Sequence, residues 1–580
     1  MDSSAPPPRS SADPGASVFV WGVWGASLLL ALWYVASCGP DVPLWDDYAV
    51  APQLCDQAPV TLSWLWSQHS EHRIPLARLV LLGVFRADGA DPRPVMILIT
   101  ALLAAASAAL LGAAARAPEG RKYADAFLPL LMMHLGHHDN LLWAIQITYV
   151  VPTALLCLVL RLVATQDEQP SLIRCGLVAA CLAVMPLCNA GGLILIPPLA
   201  LWLLAMGVVE ARSGRPGGRA RGVLILAESA PALILAALYL RGYSAPRHHA
   251  APAGVFAALR TALQFLATSL GRPGVWLWPW SGVFVGCLSA AAGAVLLGAW
   301  CSRPKERARV AGFLCVLGAV GALALATGWG RSGEDDLAGL QPRYTTLAAP
   351  ALAVVYIVIA YYGPVVLRSL VPMVLFAVFS TLLWPNTQEA IEAGRNARER
   401  AAVFDRDVAA GMPPYRLVRR HVPFLHPSQR AMHGYLEMLR NAKIGKFGRI
   451  RRDPSFRERP VALSPADVRL GRWTDGELIA TGVDPWVRFE LPATERIAGV
   501  RIRYDHHNDD GSPSRFRLAW RSLGDLDFPA DKQYGDWNLE TGEDREVTVW
   551  IDDVVSQIRL QPDNRPCRFR IRELTLLRDD

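Results

Sequence analysis

Asp46 and Asp47 stand side by side in Leu44-Trp45-Asp46-Asp47-Tyr48, just past the first long apolar segment of the chain. A carboxylate beside the end of a membrane-length segment is costly to keep unless it meets water, a cation or a substrate. A positioned carboxylate can also take the proton of a reacting hydroxyl. Adjacent side chains diverge, so only one of the two is expected to act as a base. Loop solvation or helix capping is the alternative role for such a pair. Other chemistry-bearing residues recur between apolar blocks: Glu71-His72-Arg73, His137-His138-Asp139-Asn140, Cys188-Asn189-Ala190-Gly191-Gly192, Arg247-His248-His249, Arg331 to Asp336, and Arg343-Tyr344. Arginine grips phosphate or carboxylate with a planar fork, so Arg343, Arg331 and Arg73 are candidate anion binders, with His72 as a further donor. Snorkelling to lipid headgroups is the other reading of an arginine at a helix start. His134 and His138, four apart, could share a helix face as metal ligands. A polar contact to substrate or to neighbouring helices is the preferred role there, and no metal is assigned.

The elements that must position these groups are mostly membrane-length. The chain has 580 residues, is 52% hydrophobic and has a mean hydropathy of +0.24. Its apolar residues fall in blocks that approach the roughly 20 residues needed to span a bilayer core. About eleven spans are expected, near 17–38, 94–115, 123–138, 147–163, 172–188, 191–209, 222–241, 282–301, 309–328, 345–363 and 368–384. The first is too long for a cleavable signal and reads as a retained anchor. Arginine and lysine cluster at 116–122, 161–174, 212–221 and 303–309. Such clusters mark the cytoplasmic side, which puts residues 1–16 there as a disordered tail. The acidic pair and the other polar groups then share the opposite face. Convergence of polar groups from separate loops on one face is what a site requires. The uneven charge gives no sign of a nucleic-acid partner. The ten cysteines carry no zinc spacing, and most lie in apolar blocks. Cys38 and Cys55 could pair if both face outward.

Amphipathic stretches at 58–70, 73–86 and 254–270 are expected to lie along the interface rather than cross it. The Trp276–Trp280 run reads as an interfacial anchor, or as a platform for a sugar or a lipid chain. Asn386-Thr387-Gln388-Glu389 resembles a capping box opening a helix to about Ala410, within a helical linker region over 386–458. Another helix is expected over 428–442. From 459 to 580 the period changes to two: Val487 to Leu491, Val500 to Tyr504, Phe516 to Leu518 and Phe569 to Arg572 alternate apolar and charged residues. That pattern predicts an antiparallel β-sandwich. The fold class expected is thus a polytopic α-helical membrane domain over 17–385 with a C-terminal β-domain outside the membrane.

The Asp-Asp motif after the first span, the long amphipathic first outer loop, the many spans and the polar fifth outer loop resemble the GT-C superfamily of membrane glycosyltransferases. The resemblance covers roughly residues 15–385. It implies a polyprenyl-phosphate sugar donor and a hydroxyl acceptor on a glycan, lipid or protein. It further implies an inverting reaction with one of Asp46 and Asp47 as base, working outside a bacterial inner (plasma) membrane. Glu71, His72, Arg73, Arg331, Arg343, Tyr344, His138 and Asp139 are then the candidate donor-phosphate and substrate contacts. No cofactor is certain, and a divalent metal is possible but not expected. The C-terminal domain resembles galactose-binding-like jelly rolls, in which Tyr504, His506, His507, Trp520, Tyr534 and Trp537 could form a sugar platform or simply core. A transporter or flippase for lipid-linked sugars is the rival expectation, and a non-catalytic anchor displaying a carbohydrate-binding domain is another. Transporters generally keep ionisable groups at mid-membrane, whereas here they sit in the loops.

Overall fold

The computed structural model describes residues 13–166, 169–246, 250–508, 511 and 513–579, with backbone only at 492, 493 and 537. Arg247, His248 and His249 lie outside these residues. Among the described residues nine helices are long and apolar enough to cross a membrane, from Pro14–Cys38 to Val365–Ala409. Two of the eleven expected segments are not among them. Residues 123–138 form a broken run, with the helix Phe127–Met133 flanked by 3-10 turns, because His134 adopts an extended backbone. Residues 172–187 form a helix too short to qualify. Both still connect the arginine-rich end of the helical layer to the Asp46 end. Gln166 O accepts from Arg309 at one end of the second, and Ala190 N donates to His72 just past the other.

The helix Thr345–Tyr362 is the axis of the layer, with every residue buried. At its start stands Arg343-Tyr344. At its end Tyr361 and Tyr362 stack under Arg309 and Arg303. Eighteen residues at about 1.5 Å each separate the two ends by roughly 27 Å, close to the thickness of a bilayer core.

Three of the prolines inside these helices, Pro152, Pro350 and Pro372, act as tie points. A helical proline frees the carbonyl four residues earlier, and in an apolar layer that carbonyl needs a donor. Pro152 frees Thr148 O, which accepts from Asn189 Nδ2 at 2.7 Å. Pro350 frees Thr346 O, which accepts from Thr153 Oγ1 at 3.4 Å. Pro372 frees Arg368 O, which accepts from Lys122 Nζ at 2.9 Å. Each break in one helix is thus closed by a side chain from another element.

Asn386 starts no helix. It lies within the continuous 45-residue helix Val365–Ala409. Its buried amide instead accepts from Arg272 N and donates to Leu270 O, fixing the turn before the tryptophan run. A further helix spans Gln429–Asn441, capped by Ser428.

Strands are numbered in chain order. A small hairpin in the first loop comprises β1 (Gln68–His69) and β2 (His72–Arg73). The C-terminal domain comprises β3 (Phe456–Pro460), β4 (Asp467–Arg469), β5 (Gly471–Thr474), β6 (Glu477–Ala480), β7 (Trp486–His507), β8 (Ser514–Arg521), β9 (Gln533–Leu539), β10 (Gly542–Gln561) and β11 (Cys567–Asp579). They form one antiparallel sheet in the order β5-β6-β11-β7-β10-β8-β9, with β3 on β11 and β4 on β7. The long strands β7 and β10 pair along their whole length, with bulges between Trp550 and Asp553 and near Val555. Those bulges divide the sheet into two halves, one on β8 and β4, the other on β11. Val487, Phe489, Leu518 and Trp520 from one half share a core with Val500, Ile502, Phe569 and Leu576 from the other. Of the side chains left open between sugar platform and core, Tyr504, His506 and Trp520 are fully buried and Tyr534 is nearly so. His507 is exposed. The side chain of Trp537 lies outside the described residues. Cys38 and Cys55 are free thiols.

The two ends of the helical layer carry a testable consequence. Cysteines placed at Gly217 and Leu470, with exposed Cys287 and Cys301 removed, are expected to label from opposite sides of intact cells. Labelling of both from one side would contradict the arrangement.

Candidate functional site

Trp45 opens the site with φ of +47, a conformation bulky residues rarely adopt. Its N–H donates to Leu425 O at 2.6 Å, and Tyr48 stacks on Tyr435 at 5.4 Å, so the first loop is clamped onto the C-terminal linker. The turn sends the two aspartates in opposite directions. Asp46 is half-exposed and lines a cleft of about 920 Å³. Asp47 is fully buried. Asp47 Oδ2 accepts from Leu44 N at 3.0 Å, and Oδ1 accepts from Ile145 N at 2.8 Å. Asp47 therefore joins the loop after the first long helix to the segment at Ile145 and is closed off from the cleft.

His69 Nε2 lies 3.3 Å from Asp46 Oδ1, presented by the β1–β2 hairpin, whose turn at Ser70 also has positive φ. Partial burial pushes the Asp46 carboxyl upward. The His69 hydrogen bond and charge, helped by His426 and Arg343, outweigh this and hold it below the ordinary carboxylate value. Asp46 is thus an ionised acceptor. Asp47 behaves oppositely: burial lifts it to about 7, against the pull of its two amide donors. An unfolded aspartate titrates near 4. A raised folded value favours the folded state below that pH, and the benefit is lost as pH rises toward 7. The unfolding temperature is expected to fall more steeply between pH 5 and pH 8 in the wild type than in Asp47→Asn. Equal slopes would remove Asp47 as the cause.

The cation wall of the cleft is formed by Arg331 and Arg343. Arg331 is committed: it pairs with Glu71 and with Glu334. Arg343 differs. Its guanidinium lies beside the Tyr344 ring, and its Nε is buried without a hydrogen-bond partner. Among the described residues no carboxylate forms an ion pair with it. A half-buried cation without a counter-ion is an anion site in waiting. Arg73 is spent elsewhere, donating to the carbonyls of Trp66, Tyr239 and Arg241. It anchors the hairpin and does not line the cleft.

Glu71 and His72 face the cleft from the hairpin. His72 Nδ1 accepts from Ala190 N at 3.3 Å, which places the proton on Nε2, toward Glu71 at 3.5 Å. Burial pushes His72 down to about 4, so it is a neutral hydrogen-bonding group. Tyr344 is buried and faces a second cleft. His138, paired with Asp139 at 3.4 Å, lines only a very small pocket with Glu389 and Arg272. His134 and His138 share no helix face, because the chain is extended at His134. Among the described residues the one group of three or more potential metal ligands with its ligand atoms within 4.8 Å of one another is His433, Glu437 and Asp453, in the C-terminal region.

The second cleft, about 460 Å³, is mostly apolar and adjoins the first. Ile194, Leu323, Ala326, Trp329 and Leu347 line it, all on candidate membrane spans. The two clefts share Glu71, His72, Tyr149 and Arg331. The far wall of the polar cleft comes from the C-terminal region: His426, Ser428, Arg430, Asp536, Asn538 and Glu540. Neither that wall nor His69 was expected from sequence. His69 had a faint signal, two residues before Glu71 in the polar hairpin. Comparison with family models and with curated proteins finds no match.

Proposed function

We propose that this chain is an integral membrane glycosyltransferase of the plasma (inner) membrane of a bacterium. It moves a sugar from a polyprenyl-phosphate donor to a hydroxyl acceptor on the non-cytoplasmic face. One observation carries the reading: a half-exposed Asp46 and an Arg343 that forms no ion pair among the described residues line the same polar cleft, which adjoins an apolar cleft on the candidate spans. A lipid phosphate sugar has those three parts in that order, a chain, an anion and a sugar.

In the proposed step the acceptor hydroxyl lies against Asp46, which takes its proton as the oxygen bonds to the anomeric carbon. The bond from that carbon to the phosphate oxygen breaks, and its electron pair leaves with the lipid phosphate. Arg343 neutralises the charge that grows there. Arg331, held by Glu71 and Glu334, shapes the passage between the clefts. His69 keeps Asp46 ionised. Without His69 the carboxyl would titrate higher, so His69→Ala is expected to move the acid limb of kcat/KM to higher pH. An unmoved limb would remove that role.

The test is release of labelled sugar from polyprenyl-phosphate donors by the purified chain reconstituted in sealed lipid vesicles. The reading expects water-soluble or acceptor-linked label. Label that crosses the bilayer while still joined to lipid would favour a transporter instead.

A further inference from the structure

The polar cleft does not end at the C-terminal wall. A third cleft, of about 570 Å³, lies between the helix Gln429–Asn441 and strand β10, and it shares Arg430 and Glu540 with the first. Those two residues are half-exposed and 3.7 Å apart, and Glu540 also pairs with Arg545 at 3.2 Å. Both clefts are therefore bounded by the same ion pair, and a ligand leaving Asp46 along the β-domain meets the third cleft next.

We infer that the third cleft is an acceptor subsite, and that the acceptor is an extended neutral oligosaccharide whose terminal hydroxyl reaches Asp46. This rests on the glycosyl-transfer reading for the Asp46 end. The lining supplies the class. Three guanidiniums, Arg430, Arg501 and Arg545, and five carboxylates, Glu437, Asp453, Glu540, Asp544 and Glu546, line it together with Thr548. Such a wall offers many fixed donors and acceptors to hydroxyl groups, and its acidic excess disfavours an anionic chain. The only apolar lining is Phe456 and Trp550, too little to seat a lipid tail. The wall is rigid where it meets the helix: His433 bonds Asp453 at 2.6 Å and stacks on Trp550 at 4.9 Å. The volume is that of an ordinary small-ligand pocket.

The test measures binding without donor. Full-length protein in nanodiscs is presented with neutral oligosaccharides, the matching monosaccharides, uronic-acid oligosaccharides and unglycosylated peptides. Neutral oligosaccharides are expected to bind about tenfold or more tighter than monosaccharides. Thr548→Trp, which fills the cleft, is expected to erase that difference, and Arg545→Ala to reduce it. Unfolding temperatures report whether the variants fold, and Arg545→Ala carries the test if Thr548→Trp does not. No preference for neutral oligosaccharides, tighter binding of acidic chains or peptides, or wild-type binding by the folded variants would overturn the inference. Because no donor is present, its failure is separate from failure to release sugar.

Discussion

Asp46→Asn is expected to lower sugar transfer by about a hundredfold or more, which is about 2.7 kcal/mol of lost transition-state stabilisation. The amide keeps the shape of the side chain but cannot hold the acceptor's proton. Asp46 is half-exposed and, among the described residues, pairs with His69, so the unfolding temperature should stay near that of the wild type. Asp47→Asn should show the reverse balance. Both Asp47 oxygens accept from backbone amides. An asparagine turns an NH2 toward one of them, leaving a buried donor unpaired at about 1–3 kcal/mol. Stability falls first, and activity falls through the loosened joint between the segments at Leu44 and Ile145. Kinetics and thermal unfolding of the two variants separate the roles. Near-normal turnover in Asp46→Asn would end its assignment as the base.

Arg343 carries the second large effect. With the donor phosphate as its missing counter-ion, Arg343→Lys keeps the charge but loses the planar fork, and donor affinity is expected to drop about tenfold. Arg343→Ala should fall further, and the loss should lie in donor rather than acceptor binding. Headgroup snorkelling makes a different forecast, because lysine reaches the interface as well as arginine does. Equal donor affinity for arginine, lysine and alanine would remove Arg343 from the site and turn attention to Arg331.

The contrast among Arg73, Arg331 and Arg343 shows what was legible in the sequence. Arg73, Arg331 and Arg343 look alike in one dimension. What separates them is the carbonyls of Tyr239 and Arg241 for the first, the carboxylates of Glu71 and Glu334 for the second, and only the Tyr344 ring, with no ion pair among the described residues, for the third. The first two sets lie far apart along the chain, and no local pattern encodes them. The two aspartates follow the same rule. Their divergence follows from adjacency, but which one is buried depends on Ile145, ninety-eight positions away. Long periodic segments were more legible, because burial of one face is written locally. Alternation at Val487 to Leu491 and Val500 to Tyr504 marks strand β7, and long apolar runs mark most of the candidate spans. The run 123–138 misled because composition records apolarity but not the extended turn at His134. Asn386 misled because a capping pattern says nothing about a helix already running through it. The far wall of the cleft, from His426 to Glu540, was illegible, since docking of the C-terminal region is a long-range event.

The most direct test of the central claim is the anomeric configuration of the new glycosidic bond formed from a polyprenyl-phosphate sugar of known configuration, read by NMR. A single displacement with Asp46 as base predicts inversion at the anomeric carbon. A retained configuration, or no sugar leaving any lipid-phosphate donor, would contradict it.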